Sequence, residues 1–331
     1  MKRVLLSIAF ILSVLGVQAQ NRKHVANFSL FQQYFNPALT GYEGSIVKTY
    51  YRNQWTGYED APKTIFASAE LNMADMVAWK NNNQSVTSDD EVDSQQAGAA
   101  HAFGFAVLRD EFGPFSETQL QLSFGTRVRL SEKLALRWGA AATYSANRLN
   151  GNRLTVDQEN DVMFQDYLGN TSRASKADVN LGLTLTSDHF YVGYAMQDVL
   201  KGKAVNGGDD YLDNTYARQH VVQAGYRTAV SEQFGLVANA IYRYDDYLEE
   251  TVEGQLKGVF ANTFWASAGY RKDQAYTLGA GARLNQFKIG YMYEAPVQDA
   301  KHISRSTNEI TLTYNLVQVK YPKSGRTVTM W

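Results

Sequence analysis

The 331-residue chain contains no cysteine. That excludes a disulfide framework, a thiolate nucleophile, a Cys-ligated metal and a lipid attached to a cysteine behind an export leader. Proline is scarce, with five residues in the whole chain. Beyond the first 19 positions no run is both apolar enough and long enough for a spanning helix, which needs about 20 residues; the uncharged stretch Ala97 to Leu108 covers only 12. A surplus of positive charge is also missing, with 32 basic against 33 acidic residues, so nucleic acid is not an expected partner. His24, His101, His189, His220 and His302 are scattered rather than clustered, which argues against a metal centre. No H-E-x-x-H, G-x-S-x-G or P-loop pattern occurs, so neither a cofactor nor an enzymatic activity is expected.

What is present begins with an export signal. Lys2 and Arg3 form a positive start, Val4 to Val17 an uncharged apolar core, and Val17 and Ala19 occupy the −3 and −1 positions of a small-residue cleavage site. The expected cut falls between Ala19 and Gln20. The alternative, an uncleaved anchor helix, fits less well because the cleavage signature is complete. Removing Lys2 and Arg3 leaves 30 basic and 33 acidic residues, a net charge of −3.

Aromatic residues and glycine are abundant, with 21 Tyr, 16 Phe and 25 Gly. The apolar residues alternate with period two almost to the end of the chain. Leu120, Leu122, Phe124, Val128 and Leu130 alternate with Gln121, Ser123, Gly125, Arg127 and Arg129. Phe287, Ile289, Tyr291 and Tyr293 alternate with Lys288, Gly290, Met292 and Glu294. Such segments read as strands with one apolar and one polar face. About fourteen are expected, near 45–54, 63–72, 99–109, 117–130, 134–147, 178–187, 189–196, 219–229, 234–244, 250–260, 263–272, 275–284, 287–294 and 306–316. Most match the roughly 9–11 residues that a tilted strand needs to cross a bilayer, whereas strands of soluble sheets centre nearer about 5–6.

The connections carry the same message. Those after even-numbered strands are mostly tight, as at Ser131–Lys133 and Asn285–Gln286, while long ones (148–177, 197–218, 295–305) follow odd-numbered strands. Short periplasmic turns opposite longer outer loops are the mark of a bacterial outer-membrane barrel. The exception is 73–98, a long segment on the expected periplasmic side with Asp89, Asp90, Glu91 and Asp93; it reads as a disordered insertion or a periplasmic docking element. A soluble sandwich would show the same alternation, but its wet face would carry more charge than the Gly, Ser, Thr and Asn found here. The expectation is therefore an all-β chain forming a transmembrane antiparallel up-and-down β-barrel. Its parts are a signal peptide (1–19), an N-terminal periplasmic segment (20–44), the barrel (45–316) and a C-terminal tail (317–331). Outer-membrane lipid is the implied surroundings. The polar faces place Arg127, Arg129, Arg137, Arg227, Arg243, Arg271 and Arg283 as lumen-lining candidates, either salt-bridged against Glu70, Glu253 and Glu294 or forming a selectivity ring.

Three stretches carry a family likeness. They are Asn36-Pro37-Ala38, then Arg52-Asn53-Gln54-Trp55 with Gly57 and Ala61-Pro62-Lys63-Thr64, then Asp110 with Gly113-Pro114. Together they resemble the PorP/SprF family of the Bacteroidetes type IX secretion system. Glu111 stands where that family usually has Lys, and the tail after Leu316 extends past its usual end. The resemblance implies an outer-membrane partner protein of type IX secretion, one that delivers or anchors secreted adhesin- or gliding-type cargo bearing a C-terminal sorting domain. Other secretion components on the periplasmic side are further implied partners. On this reading Asn36, Pro37, Arg52, Gln54, Trp55, Gly57, Tyr58, Pro62, Lys63, Asp110, Gly113 and Pro114 are candidate partner-binding residues. The residues themselves also permit an aromatic girdle at Trp55 and Tyr58 and a hairpin turn at Gly113-Pro114. Two alternatives stand beside this reading. One is a porin or hydrophobic-compound transporter. The other is a surface hydrolase in which His220 and the acids Asp245 and Asp246 activate water at the barrel rim.

Overall fold

The computed structural model describes residues 23–80, 101–153, 171–201, 203–206, 218–245, 250–297, 305–317, 328 and 330. Period-two segments become strands wherever the sequence alternates. The strands are β1 (Ile46–Asn53), β2 (Lys63–Asn72), β3 (His101–Phe112), β4 (Phe115–Arg129), β5 (Ala135–Asn150), β6 (Thr171–Thr186), β7 (Phe190–Gln197), β8 (Lys203–Asn206), β9 (Gln219–Ala229), β10 (Phe234–Asp245), β11 (Thr251–Phe260), β12 (Phe264–Arg271), β13 (Ala275–Leu284), β14 (Phe287–Pro296) and β15 (Thr307–Asn315). Each pairs antiparallel with its sequence neighbour, except that β7 passes over β8 to pair with β9 and β8 pairs with β6. β1 pairs with β15 and β5 with β6, so the sheet closes on itself as a fourteen-stranded barrel. Closure leaves no open sheet edge, the condition for strands to sit in hydrocarbon. The short β8 lies against the outer part of β6, beside Ser175 to Ala177.

The faces are inverted relative to a soluble protein. On β11, Val252, Leu256 and Phe260 are exposed while Glu253, Gln255 and Lys257 are buried. On β15, Ile310 and Leu312 face out while Glu309, Thr311 and Thr313 face in. Apolar side chains toward the surroundings and polar ones toward the axis decide for a lipid-facing barrel over a sandwich. Aromatic pairs mark both ends of the wall, Tyr270 against Tyr276 at one and Phe264 opposite Phe260 at the other, as expected at membrane interfaces.

The turns after β4, β6, β9, β11 and β13 are two to five residues long and lie together at one end, taken as the periplasmic or inner end. The opposite, outer end carries 54–62 and the strand ends from which the longer connections after β5, β7 and β14 leave. One expected loop is shorter than the sequence implied. β5 runs on to Asn150 and β6 starts at Thr171, so both ends of 148–177 are strand. The segment Thr171-Ser-Arg-Ala-Ser-Lys-Ala lacks alternating apolar residues, so hydropathy could not reveal it. Its partner strand supplies the register instead. On the inner side, 73–98 opens as a helix, α1 (Met73–Lys80), and the acidic residues Asp89 to Asp93 lie outside the described residues.

The segment expected to hang in the periplasm does not. From Val25 to Gly41 almost every residue is buried, and the chain runs inside the barrel before entering β1. Phe28, Phe31, Phe35 and Leu39 are apolar residues with no place on a wet surface, and the lumen is where they are covered. The tail also returns inward. Val328 and Met330 are buried with Leu39, Tyr191, Val237, Val259 and Trp265, near the inner mouth.

Candidate functional site: a filled lumen beneath an outer rim

The interior segment, Lys23–Ser45, descends the lumen from the outer end to the inner. Lys23 lies beside Asp110 and Glu117, which flank the outer turn between β3 and β4. Gly41 and Ser45 lie beside Glu70 and Asp75 at the inner end. Between them the segment forms a short helix, α2 (Gln32–Phe35), and a single 3₁₀ turn at Pro37–Leu39. That turn is started by local chemistry. Pro37 presets the first position, and the Asn36 side chain accepts a hydrogen bond from Ala38 N at 3.0 Å.

The wall grips this plug largely through its backbone. The Glu309 carboxylate accepts the N–H groups of Ala26 (3.0 Å) and Asn27 (3.2 Å). Lys48 donates to Leu30 O at 3.0 Å, and Gln197 donates to both Tyr34 O and Phe35 O at 3.0 Å. Arg137 donates to Ala38 O (3.1 Å) and Thr40 O (3.2 Å), and Glu70 accepts from Gly41 N at 2.7 Å. Bonds with a charged partner contribute about 1.5–3 kcal/mol each. Irregular backbone inside a barrel needs such partners, because no helix or ladder satisfies it.

Charge pairing completes the filling. Arg52 lies between Glu294 (3.0 Å) and Glu309 (3.5 Å), and Arg271 bridges Glu253 (2.9 Å) and Glu294 (3.2 Å). Glu43 of the plug meets Lys288 (3.3 Å) and Lys48 (3.9 Å), and Lys48 also meets Glu70 at 3.0 Å. Two aromatic layers fill the remainder. Phe31, Tyr50 and Phe66 pack with ring centroids 4.9–5.3 Å apart, and Lys257 stands over the Trp265 ring at 5.1 Å.

Four of the candidate partner-binding residues therefore lie inside. Asn36 bonds Thr184 and caps the 3₁₀ turn, Pro37 sits against the wall of β5, and Arg52 is 2 % exposed within the carboxylate cluster. Asp110 is buried, holding Lys23 at 2.5 Å and Thr64 at 2.5 Å. Arg52 and Asp110 thus face a lumen filled by the chain's own N-terminal segment, to which Asn36 and Pro37 themselves belong.

The others meet at the outer rim. The Trp55 ring packs edge-on against Phe112 at 5.8 Å, and the Arg305 guanidinium covers Tyr58 at 5.8 Å. Gly57 has φ +97°, in the left-handed region that favours glycine. Gln54 N donates to Pro62 O (2.9 Å), Thr56 N to Ser306 O (2.9 Å) and Gly113 N to Asp60 O (3.2 Å), so loop 54–62 is tied to two neighbouring connections. Asp60 also pairs with Arg153, and Asn150 N donates to Pro114 O at 2.9 Å. Tyr58, Gly57 and Lys63 are exposed, Gln54, Trp55, Gly113 and Pro114 half-buried, and Pro62 is buried beneath the loop.

Among the arginines, Arg137, Arg243, Arg271 and Arg283 are buried on the inward face. Arg227 is half-buried and donates to Asp188 O at 2.8 Å. Arg127 is half-buried, while Arg129 is exposed at the inner rim. Of the pairings anticipated for them, Arg271 meets Glu253 and Glu294, but Glu70 is met by Lys48. Sequence reading passed over Lys48, Arg52 and Glu309 as interior residues. Glu309 occupies the polar phase of β15, whereas Lys48 and Arg52 share their phase of β1 with Ile46 and Tyr50, so alternation marks the first and not the other two.

The hydrolase constellation does not assemble. His220 stands opposite Tyr244, bonded to Tyr194 at 2.7 Å on the outward face. Asp245, one residue further, is buried on the inward face, and Asp246 lies outside the described residues. Among the described residues no group of three or more His, Asp or Glu is placed to hold a metal ion.

The family described as "Type IX secretion system membrane protein PorP/SprF" matches residues 17–314. No curated protein matches the chain. Similar solved structures include the outer membrane protein Omp33 of Acinetobacter baumannii (7% identity, 82% of this chain and 96% of that one, TM-score 0.47). Others are the CymD monoaromatic hydrocarbon channel (12%, 86% and 92%, 0.49) and a Pseudomonas aeruginosa FadL homologue (9%, 85% and 92%, 0.45).

Proposed function

The chain belongs to the PorP/SprF family of type IX secretion system membrane proteins, and from that premise we propose that it is a closed outer-membrane holder. Its outer rim grips a secreted cargo protein and keeps it at the cell surface. The observation that carries this reading is the filled lumen. A barrel whose axis is occupied by its own Lys23–Ser45 segment, bonded along its backbone to the wall, has little room for diffusing solutes. That counts against the porin reading and leaves the outer surface for a partner. Trp55 and Tyr58 supply the aromatic area, and Arg305 the guanidinium, that protein interfaces favour. The loop bearing Trp55 and Tyr58 is pre-shaped by its backbone bonds, so little ordering cost remains at binding.

The test is deletion of the chain followed by comparison of surface proteomes, together with pull-down from outer membranes. The expected result is loss of one or a few secreted surface proteins and their recovery with the barrel. An unchanged surface proteome would reject the reading. Steady conductance from the purified protein in a planar bilayer would restore the open-pore alternative.

A further inference from the structure

We propose that the outer ends of β2, β3, β5 and β6 form a binding strip, on the lipid-facing side of the wall, for the phosphorylated head of an outer-leaflet glycolipid. The proposal takes the end opposite the short turns as the outer one. It is independent of whether the rim holds a cargo protein.

Alternation puts four basic residues on the outward face at this end. Lys63 opens β2, Arg109 stands near the end of β3, Arg148 near the end of β5, and Arg173 near the start of β6. All four are exposed. Each continues a column of apolar residues that face lipid. Ile65 follows Lys63, Phe103 and Phe105 precede Arg109, Trp138 and Tyr144 precede Arg148, and Leu181 and Leu183 follow Arg173. A ligand that fits such columns carries its charge above hydrocarbon, which describes a lipid and not a soluble anion.

The pairing of Arg148 with Arg173 points to an anion. They are direct partners across β5 and β6, so they share one face. Side chains so placed have Cβ atoms roughly 5 Å apart, and like charges there repel. The other cross-strand neighbour of Arg148 is Ser116, which supplies no charge. The acids at this end are taken by others: Glu111 by Arg109 (2.7 Å), Glu117 by Lys23 inside the lumen (3.4 Å), and Asp60 by Arg153. Among the described residues no carboxylate pairs with Lys63, Arg148 or Arg173. A phosphate between the two guanidiniums turns the repulsion into two charge-assisted contacts, and the planar fork of Arg suits its oxygens. The far arc of the wall is different. There the outward residues toward the same end are Tyr244, Tyr270, Tyr276 and Tyr293, and Lys272 is paired with Glu250 at 3.8 Å.

The test is native mass spectrometry of the delipidated barrel in detergent, titrated with bis-phosphorylated lipid A. Dephosphorylated lipid A, phosphatidylglycerol and inorganic phosphate are run in parallel. The parent should retain bis-phosphorylated lipid A in preference to the other three. The double variant Arg148→Gln/Arg173→Gln should bind it about tenfold more weakly or worse, while Lys272→Gln on the far arc matches the parent. Equal retention of the dephosphorylated lipid, or an equal loss in Lys272→Gln, overturns the proposal. A preference for phosphatidylglycerol overturns the outer-leaflet assignment, and displacement of lipid A by inorganic phosphate at matched concentration assigns the strip to a soluble anion instead. Thermal unfolding of Arg148→Gln alone decides the matter if the double variant folds poorly. Without lipid it should unfold at a higher temperature than the parent, because one repelling charge is gone. With lipid A the order should reverse, and the same order in both conditions overturns the proposal.

Discussion

Gly139 of β5 lies so close to Pro37 of the plug that a Cβ built on the glycine would stand 2.3 Å from the proline carbonyl oxygen. Gly139 pairs across the sheet with Gly125 on one side and Gly182 on the other, making a bare strip on the inner wall. The 3₁₀ turn at Pro37–Leu39 rests in that strip. A Cβ on Gly182 would strike the Asn36 side chain, and one on Gly125 would come within 2.9 Å of Thr40 O. Their role is to leave space for a backbone, not to supply flexibility.

Gly139→Val should therefore unseat the inner half of the plug while leaving the barrel intact. Overpacking of this kind costs about 1–3 kcal/mol, enough to shift a marginal docking equilibrium. Planar-bilayer recording checks it. The variant should show conductance steps where the parent is silent, and its N-terminal segment should become sensitive to added protease.

Glu309→Gln removes the charge that accepts Ala26 N and Asn27 N and that pairs with Arg52. Breaking a buried ion cluster by removing one member costs about 3–5 kcal/mol. Denaturant unfolding in detergent should show a loss of that order. Glu111→Gln, which removes a half-exposed pairing with Arg109, should change stability by under about 1 kcal/mol. Equal effects from the two would refute the account of the plug's anchoring.

Trp55→Ala and Tyr58→Ala should weaken cargo retention without destabilising the barrel. Interface anchors of this type contribute about 2 kcal/mol, roughly 30-fold in affinity. Cargo recovered by pull-down should fall by that order, while the heat-induced shift in gel mobility stays at the parental temperature.

Truncation after Leu316 removes Val328 and Met330 from their cluster with Leu39, Val237 and Trp265. Full burial of such side chains contributes about 1.5–3 kcal/mol each, offset in part by the ordering of the tail. The truncated chain should unfold at lower temperature in detergent, with Trp265 emission shifted to the red as water reaches the inner mouth. An unchanged unfolding temperature would mean that the tail contributes nothing to closure.

The strand pattern was legible because a barrel wall imposes a local rule. Each residue faces either lipid or lumen, so the alternation of Val252, Leu256 and Phe260 with Glu253, Gln255 and Lys257 can be read from neighbours alone. Strand number, the asymmetry of the turns and the inward phase of Arg137, Arg243, Arg271 and Arg283 followed from it. The extensions at Arg148–Asn150 and Thr171–Ala177 escaped because they lack the apolar phase and are held by each other's hydrogen bonds.

Lys23–Ser45 is where the sequence alone ran out. Its sequence showed no alternation, and the segment read as a periplasmic extension although Phe28, Phe31, Phe35 and Leu39 need cover. It could not determine where the cover lay. The partners are Glu309, some 280 residues away in the chain, and Arg137, some 100 away, together with a glycine strip assembled from three strands. Those residues share one space only after the ring has closed. The barrel was thus fixed by local alternation, whereas the plug, and with it the interior fate of Asn36, Pro37, Arg52 and Asp110, was decided by closure. Contacts between residues so distant in sequence leave no periodic trace in it.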